Sequence, residues 1–305
     1  MTALASTPRP ASARDDETPA ARLPALTQLP SGAALHASGP TQPAGFPLLF
    51  LHGVGGAAWS WAPQVQTLRE HFDCLVWEAR GHGAAARVTD AGLADYAQDA
   101  HEALQVAWHA YRTPALLVAH SMGAMLALAL ACDRPERVRG LFLVDPVYAE
   151  SGSRPAVLKA LLRGVCWLVS PLVRSYQRDG RLSRALSRRL FRGAFLDAQA
   201  MEQAWALQRT VVPLEYPRML YESIRGVEGF AFRPFAELVA APTVIVEARP
   251  RAGARSRFAA VVERWRAREG IRCEHEVIDG GHYLQLDQPA AVSARLLAFA
   301  DSLRV

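Results

Sequence analysis

Lysine is almost missing from this 305-residue chain: Lys159 stands alone against 33 arginines. Such a split follows GC-rich coding rather than a binding task. The net charge is only +5, and no module with a clustered basic surface is recognisable, which excludes a nucleic-acid reader. Cysteine is scarce too. Cys74, Cys132, Cys166 and Cys273 are scattered, with no Cys-x-x-Cys spacing and no paired histidines. They read as isolated reduced thiols, not as a zinc site or a disulfide framework. No run of about 18 uninterrupted apolar residues occurs, so no integral membrane span is expected. The first residues lack the apolar core of a secretory signal. Residues 1–30 are instead rich in Ala, Pro and charge, and read as a disordered extension. A cytoplasmic location follows by default.

What is present is a rhythm. Short apolar runs alternate with helical patterns, and each run stops at a glycine- or histidine-bearing turn. Leu48-Leu49-Phe50-Leu51 ends in His52-Gly53-Val54-Gly55-Gly56, and Cys74-Leu75-Val76-Trp77 is halted by Arg80-Gly81-His82-Gly83. After a helix expected over Leu93–Tyr111, Ala115-Leu116-Leu117-Val118-Ala119 runs into His120-Ser121-Met122-Gly123. An Ala/Leu-rich helix then ends near Asp133, and Leu141-Phe142-Leu143-Val144 ends at Asp145-Pro146. Solid apolar strands separated by helices imply a parallel sheet buried on both faces. Right-handed crossovers gather the C-terminal strand ends on one rim, where ligand sites form.

From 147 to 237 the rhythm breaks into helical patterns punctuated by Pro171, Pro213, Pro217 and Pro234. It resumes at Thr243-Val244-Ile245-Val246, then a helix near 258–268, a strand near 273–278, the turn Gly280-Gly281-His282, and a closing helix from Pro289. The expected organisation is a disordered extension (1–30), a core (31–146), a helical cap inserted at 147–237, and the rest of the core (238–305).

A serine hydroxyl is a weak nucleophile until a base takes its proton and its oxygen is held exposed. A sharp strand-to-helix turn does this, and needs small residues two positions either side of the serine. Ala119-His120-Ser121-Met122-Gly123 fits, between a buried strand and a long helix; the competing reading of Ser121 is a helix N-cap. With His52-Gly53-Val54-Gly55, Arg80-Gly81-His82-Gly83, and Gly281-His282 followed by Leu284 and Pro289, these segments from about Phe46 onward resemble an α/β-hydrolase with a cap domain. The resemblance implies an α/β-hydrolase fold: a mostly parallel central sheet flanked by helices, with an inserted helical cap. It brings no metal or organic cofactor. Ser121 argues against dehalogenase and epoxide hydrolase chemistry, which use an Asp nucleophile on this fold.

In that frame Ser121 is the nucleophile and His282 its base, a role suited to an imidazole that titrates near working pH. The backbone N–H groups of Met122 and Val54 would form the oxyanion hole. His52, Gly53 and His120 are expected at the substrate pocket, although His52 also suits shaping of the oxyanion loop by a backbone hydrogen bond. The acid departs from the common pattern. Where the family usually carries Asp, this chain reads Glu247-Ala248-Arg249-Pro250-Arg251-Ala252-Gly253. Asp145 at the end of the preceding strand is preferred, over Glu247 or no acid.

The expected activity is hydrolysis of a carboxylic ester or related acyl bond through an acyl-enzyme intermediate. The alternatives are same-fold chemistry (acyl transfer, carbon–carbon bond hydrolysis, cofactor-free oxygenation) and a non-catalytic ligand-binding protein. Between positions 154 and 192 the cap carries ten basic residues against Asp179 alone, with Val165, Trp167, Leu168, Val169, Leu172 and Val173 interleaved. That suits a lipophilic or acidic small-molecule substrate or peripheral contact with an anionic membrane; the plainer reading is a solvated basic helix face. Oligomeric state is not legible.

Overall fold

The computed structural model describes residues 23–40, 45–86, 88, 91–147, 188–189, 191–211, 238–250, 255–268 and 270–304. Eight strands form one sheet: β1 (Leu26–Gln28), β2 (Ala34–Ser38), β3 (Leu48–Leu51), β4 (Cys74–Glu78), β5 (Ala115–His120), β6 (Val138–Val144), β7 (Thr243–Arg249) and β8 (Cys273–Asp279). Their order is β1-β2-β4-β3-β5-β6-β7-β8. The β1/β2 and β2/β4 pairs are antiparallel and every later pair is parallel.

The solid apolar strands follow from burial on both faces. Along β3, Leu48 and Phe50 point into one core layer and Leu49 and Leu51 into the other. β5 repeats this with Leu116 and Val118 against Leu117 and Ala119. One layer is closed by α2 (Leu93–Tyr111), α3 (Met122–Asp133) and α5 (Ala259–Arg266), the other by α1 (Ala62–Leu68), α6 (Leu284–Asp287) and α7 (Pro289–Asp301). Burying an aliphatic side chain on both faces is worth about 1.5–3 kcal/mol, so these strands hold the frame on which the rim loops sit.

Two expectations need correction at the N-terminal side. Strand β1 falls inside the stretch read as a disordered extension, and β2 was not anticipated at all. β1 is the edge strand, with Leu26 45% exposed; β2 lies between β1 and β4 but buries only its first two residues. A short, half-wet strand carries neither a solid apolar run nor a clean alternation. Residues 1–22 of the expected extension lie outside the described residues.

Of the expected cap, 148–187, 190 and 212–237 lie outside the described residues, including Lys159 and most of the basic run. The described part holds α4 (Ala198–Val211) and the segment leading into it. Phe191, Phe195, Met201 and Ala204 pack on Tyr283, beside Trp59 and Leu286. Among the described residues, no helix is long and apolar enough to cross a membrane.

Candidate active site

Strand β5 delivers Ser121 to the sheet's C-terminal rim, and α3 begins at the next residue. The turn between them is strained: Ser121 has φ 53° and ψ −116°, a region costly for a residue with a side chain, at about 1–3 kcal/mol. The expected need for small neighbours is met physically. A Cβ on Gly123 would run into the carbonyl oxygens of Leu51 and His52, and one on Gly53 would sit 2.9 Å from both Ser121 Cβ and His120 Nδ1. Ala119 is fully buried. The loop after β3 is therefore pressed against the serine by the absence of side chains on both parts.

His282 and Asp145 meet at that serine. His282 Nε2 lies 2.9 Å from Ser121 Oγ, and His282 Nδ1 lies 2.6 Å from Asp145 Oδ2. An ionised carboxylate can only accept, so Nδ1 carries the proton and Nε2 of the neutral ring accepts from the serine hydroxyl. Asp145 also has positive φ, 37°, which turns its side chain at the end of β6. Burial pushes its carboxyl up, but the bonds from His282, the Arg257 guanidinium and the Ala248 N–H outweigh this and hold it below the ordinary carboxylate value.

Glu247, the competing acid, faces another set of partners. Its carboxylate receives Ser256 Oγ (2.5 Å), Arg257 N–H (2.7 Å) and His275 Nε2 (3.0 Å). Burial opposes its ionisation, yet His275, Ser256 and Arg257 bring the carboxyl down to about 2. Arg249, the cation where an acid is usual, pairs with Asp279 (2.6 Å). Arg251 lies outside the described residues.

Three further histidines surround the site, all buried and neutral. His52 Nδ1 donates to the Gly53 carbonyl (2.7 Å) and its Nε2 accepts the Ala79 N–H (3.1 Å). Burial lowers its basicity. His82 accepts the Gly55 N–H (3.4 Å), and burial first, then His52, takes its pKa down to about 3. His120 donates from Nε2 to the His282 carbonyl (2.8 Å); burial, then His282, pushes it to about 3 as well. The pocket assignment of His52 is thus corrected: it is fully buried, with both ring nitrogens on backbone, and it shapes the 53–56 loop. His120 props the backbone of His282 from below, and Gly53 is a spacer against Ser121 rather than a surface for substrate. Of these four rings, His282 is the one open to solvent, with 40% of its side chain exposed.

Met122 opens α3, where the N–H has no acceptor within the helix. Val54 lies in the loop that Gly53 presses onto Ser121, with Gly56 N–H closing the turn on the Gly53 carbonyl (3.0 Å).

Sequence reading missed two residues. Asp287, five positions past His282, accepts the N–H groups of Gly281 (2.6 Å), Leu196 (2.8 Å) and Asp197 (3.2 Å). It ties the histidine turn to the described cap segment, which also receives the Tyr283 N–H on the Ala194 carbonyl (3.1 Å). An acid one short helix beyond the histidine was a visible signal. Arg257, which bridges Asp145 and Glu247, had none: it comes from a loop 112 positions away from its partner. An open groove of about 520 Å³ lies elsewhere, lined by His36, Ala58, Trp59, Val65 and Arg69 among others; it does not include Ser121, Asp145 or His282.

A family model described as the alpha/beta hydrolase family matches residues 48–295. A 136-residue stretch is 32% identical to the (E)-2-((N-methylformamido)methylene)succinate hydrolase of Acinetobacter baylyi, covering 43% of this chain and 50% of that protein. The chain thus spans about half the length of that curated relative. The fold is similar to the enol-lactonase of Burkholderia xenovorans LB400 (TM-score 0.66, 19% identity, 90% of this chain and 99% of that one). It is also similar to a thermophilic esterase of Thermogutta terrifontis (TM-score 0.69, 17% identity, 92% and 98%).

Proposed function

The chain belongs to the alpha/beta hydrolase family, and from that premise we propose that it cleaves a carboxylic ester or related acyl bond through an acyl-enzyme on Ser121. His282 Nε2 takes the hydroxyl proton as Ser121 Oγ attacks the acyl carbon. Asp145 holds the Nδ1–H of His282 and stabilises the imidazolium that forms. The developing oxyanion lies between the N–H groups of Met122 and Val54, each worth about 10²–10³ in rate. Collapse of the tetrahedral species passes the proton from His282 to the leaving group. A water then gives its proton to His282 as its oxygen attacks the acyl carbon; the second tetrahedral species breaks its bond to Ser121 Oγ, which takes the proton back from His282, and the acid leaves.

The observation that carries this reading is the unbroken hydrogen-bonded chain from Ser121 Oγ through His282 to Asp145, 2.9 and 2.6 Å, anchored on a strained serine. The names of similar proteins support acyl chemistry as a class: an enol-lactonase and an esterase share the fold. Trp59, Phe191, Phe195 and Tyr283 pack together beside His282, which favours a substrate with an apolar group on that side.

The test is turnover of a short-chain aryl ester with labelling by a serine-directed fluorophosphonate. Ser121→Ala is expected to lose labelling and about 10⁴–10⁶ of turnover. Unlabelled native Ser121 would argue for a non-catalytic binding protein on this scaffold. A reaction that survives Ser121→Ala but not His282→Ala would move the chemistry to proton abstraction by the histidine.

A further inference from the structure

Asp145 has two side-chain partners, not one. Oδ2 faces His282 Nδ1 at 2.6 Å, while Oδ1 receives the Arg257 guanidinium and the Ala248 N–H (3.1 Å). Arg257 is itself fixed: its Nε reaches Glu247 Oε1 at 3.3 Å, and its own N–H donates to the same oxygen at 2.7 Å. Both carboxylates are 3% exposed, whereas 46% of the Arg257 side chain meets solvent. The chain that carries the reaction therefore continues past its acid, as Ser121–His282–Asp145–Arg257–Glu247–His275.

The geometry points to Arg257 as the positioning residue of the acid: it pins the Asp145 carboxylate in register with His282 and, by sharing its charge, sets how basic His282 is. This inference rests on the proposed hydrolase reading of the site. Its physical basis has two parts. A carboxylate at the end of a strand can rotate about its last bond, and a second ion partner on the far oxygen stops that rotation at the orientation Nδ1–H needs. A guanidinium on the same carboxylate also offsets part of the negative charge that favours the imidazolium, so the ring stays neutral, and able to accept a proton, to lower pH. Glu247 stands on the strand where an acid is usual in the fold. Here it anchors the cation that serves the acid on the neighbouring strand.

The titratable and charged groups around the pair are few. Arg257 and His282 lie on Asp145, and His120 on the His282 backbone. Glu247 and His275 stand behind Arg257, and Asp287 holds Gly281 in the histidine turn. His120 is buried and neutral, and Asp287 spends its oxygens on backbone N–H groups. Among the described residues, Arg257 is the fixed cation on Asp145, and His282 is the neutral donor beside it.

The experiment compares native protein, Arg257→Gln and Arg257→Lys by the pH profile of kcat/KM on an aryl ester and by NMR titration of the His282 ring. With Arg257→Gln, the acid limb and the ring titration both move to higher pH by about 0.5–1 unit. kcat falls about tenfold while KM stays nearly level. Arg257→Lys keeps the charge and restores most of the pH shift, with less of kcat because it lacks the rigid fork. A ring titration unmoved in Arg257→Gln, or moved equally in Arg257→Lys, overturns the proposal. Should the single variant unfold, Arg257→Gln combined with Glu247→Gln reads the same shift without leaving an unpaired charge at Glu247. The ring titration needs no turnover, so the two readings fail separately. Loss of the shift with Ser121 still labelled sinks the Arg257 role alone; absent labelling sinks the hydrolase reading.

Discussion

Two groups of serine, histidine and carboxylate lie on either side of Arg257: Ser121 with His282 and Asp145, and Ser256 with His275 and Glu247. They contain the same residue types and differ in order. In the first the imidazole stands between hydroxyl and carboxylate. In the second the carboxylate stands in the middle, with Ser256 and His275 both on Glu247 Oε2. A carboxyl brought down to about 2 is far too weak a base to ionise a hydroxyl, whereas an imidazole is suited to it. Saturation separates the serines as well. Ser256 Oγ donates to Glu247 and accepts the N–H groups of Phe258 (3.1 Å) and Ala259 (3.0 Å), tying down the start of α5. Among the described residues, Ser121 Oγ has His282 alone. Composition does not make a nucleophile; connectivity and an unfilled oxygen do.

The strongest way to break this comparison is to neutralise each carboxylate in turn. Asp145→Asn can donate its amide N–H to Nδ1, which moves the His282 proton to Nε2, so that the ring no longer accepts from Ser121. On the proposed reading, kcat with an aryl ester should fall about 10³–10⁴-fold. Glu247→Gln acts only through Arg257 and should cost no more than about tenfold. Equal losses, measured at saturating aryl ester, would mean that the two groups are not distinct in role.

A smaller effect sharpens the contrast between a site built on close approach and one built on capping. Gly53→Ala puts a Cβ 2.9 Å from Ser121 Cβ and His120 Nδ1, which pushes the 53–56 loop off the serine. We expect kcat to drop about 10–10²-fold. Ser256→Ala removes the bonds at the start of α5 and should lower stability by about 1 kcal/mol with kcat changed less than about threefold. Chemical denaturation and steady-state kinetics on the same samples separate the two.

Much of this was legible in the chain because burial on both faces writes itself as solid apolar runs. Leu48–Leu51 was read at its true bounds, and so was the long helix Leu93–Tyr111. The turn that carries His282 and the carboxylate of Asp145, which the structure brings within hydrogen-bond distance of each other, also left local marks in small residues and a strand end. The short antiparallel strands Leu26–Gln28 and Ala34–Ser38 were not legible, because a strand of few residues that is only partly buried has no clear period to detect. His52 was misplaced at the pocket for a related reason. A histidine in a glycine loop looks the same in sequence whether its ring meets substrate or two backbone groups. Arg257 left no mark, since its contact with Asp145 exists only once the sheet brings β6 and β7 side by side.

Acid stability offers the finest discrimination between the two carboxylates, because it reads Glu247 without any catalysis. The Glu247 carboxyl lies near 4.5 when unstructured and at about 2 in the fold. Between these values the unfolded chain binds a proton that the folded chain does not, so acidification favours unfolding. The contribution is complete above about pH 5 and is lost as pH falls through 4.5 towards 2, worth about 1–3 kcal/mol for a buried, fully bonded carboxylate. Urea midpoints for Glu247→Gln should therefore lie below native at neutral pH, close on native as pH falls through 4.5, and meet it only near pH 2. Asp145 is also held below its ordinary value, so native protein keeps a residual acid slope after Glu247 is removed. If Glu247→Gln instead tracks native in parallel down the whole acid range, the carboxylate is not what holds the loop around Ser256 and Arg257. The anchor of the longer chain would then lie in the backbone bonds alone.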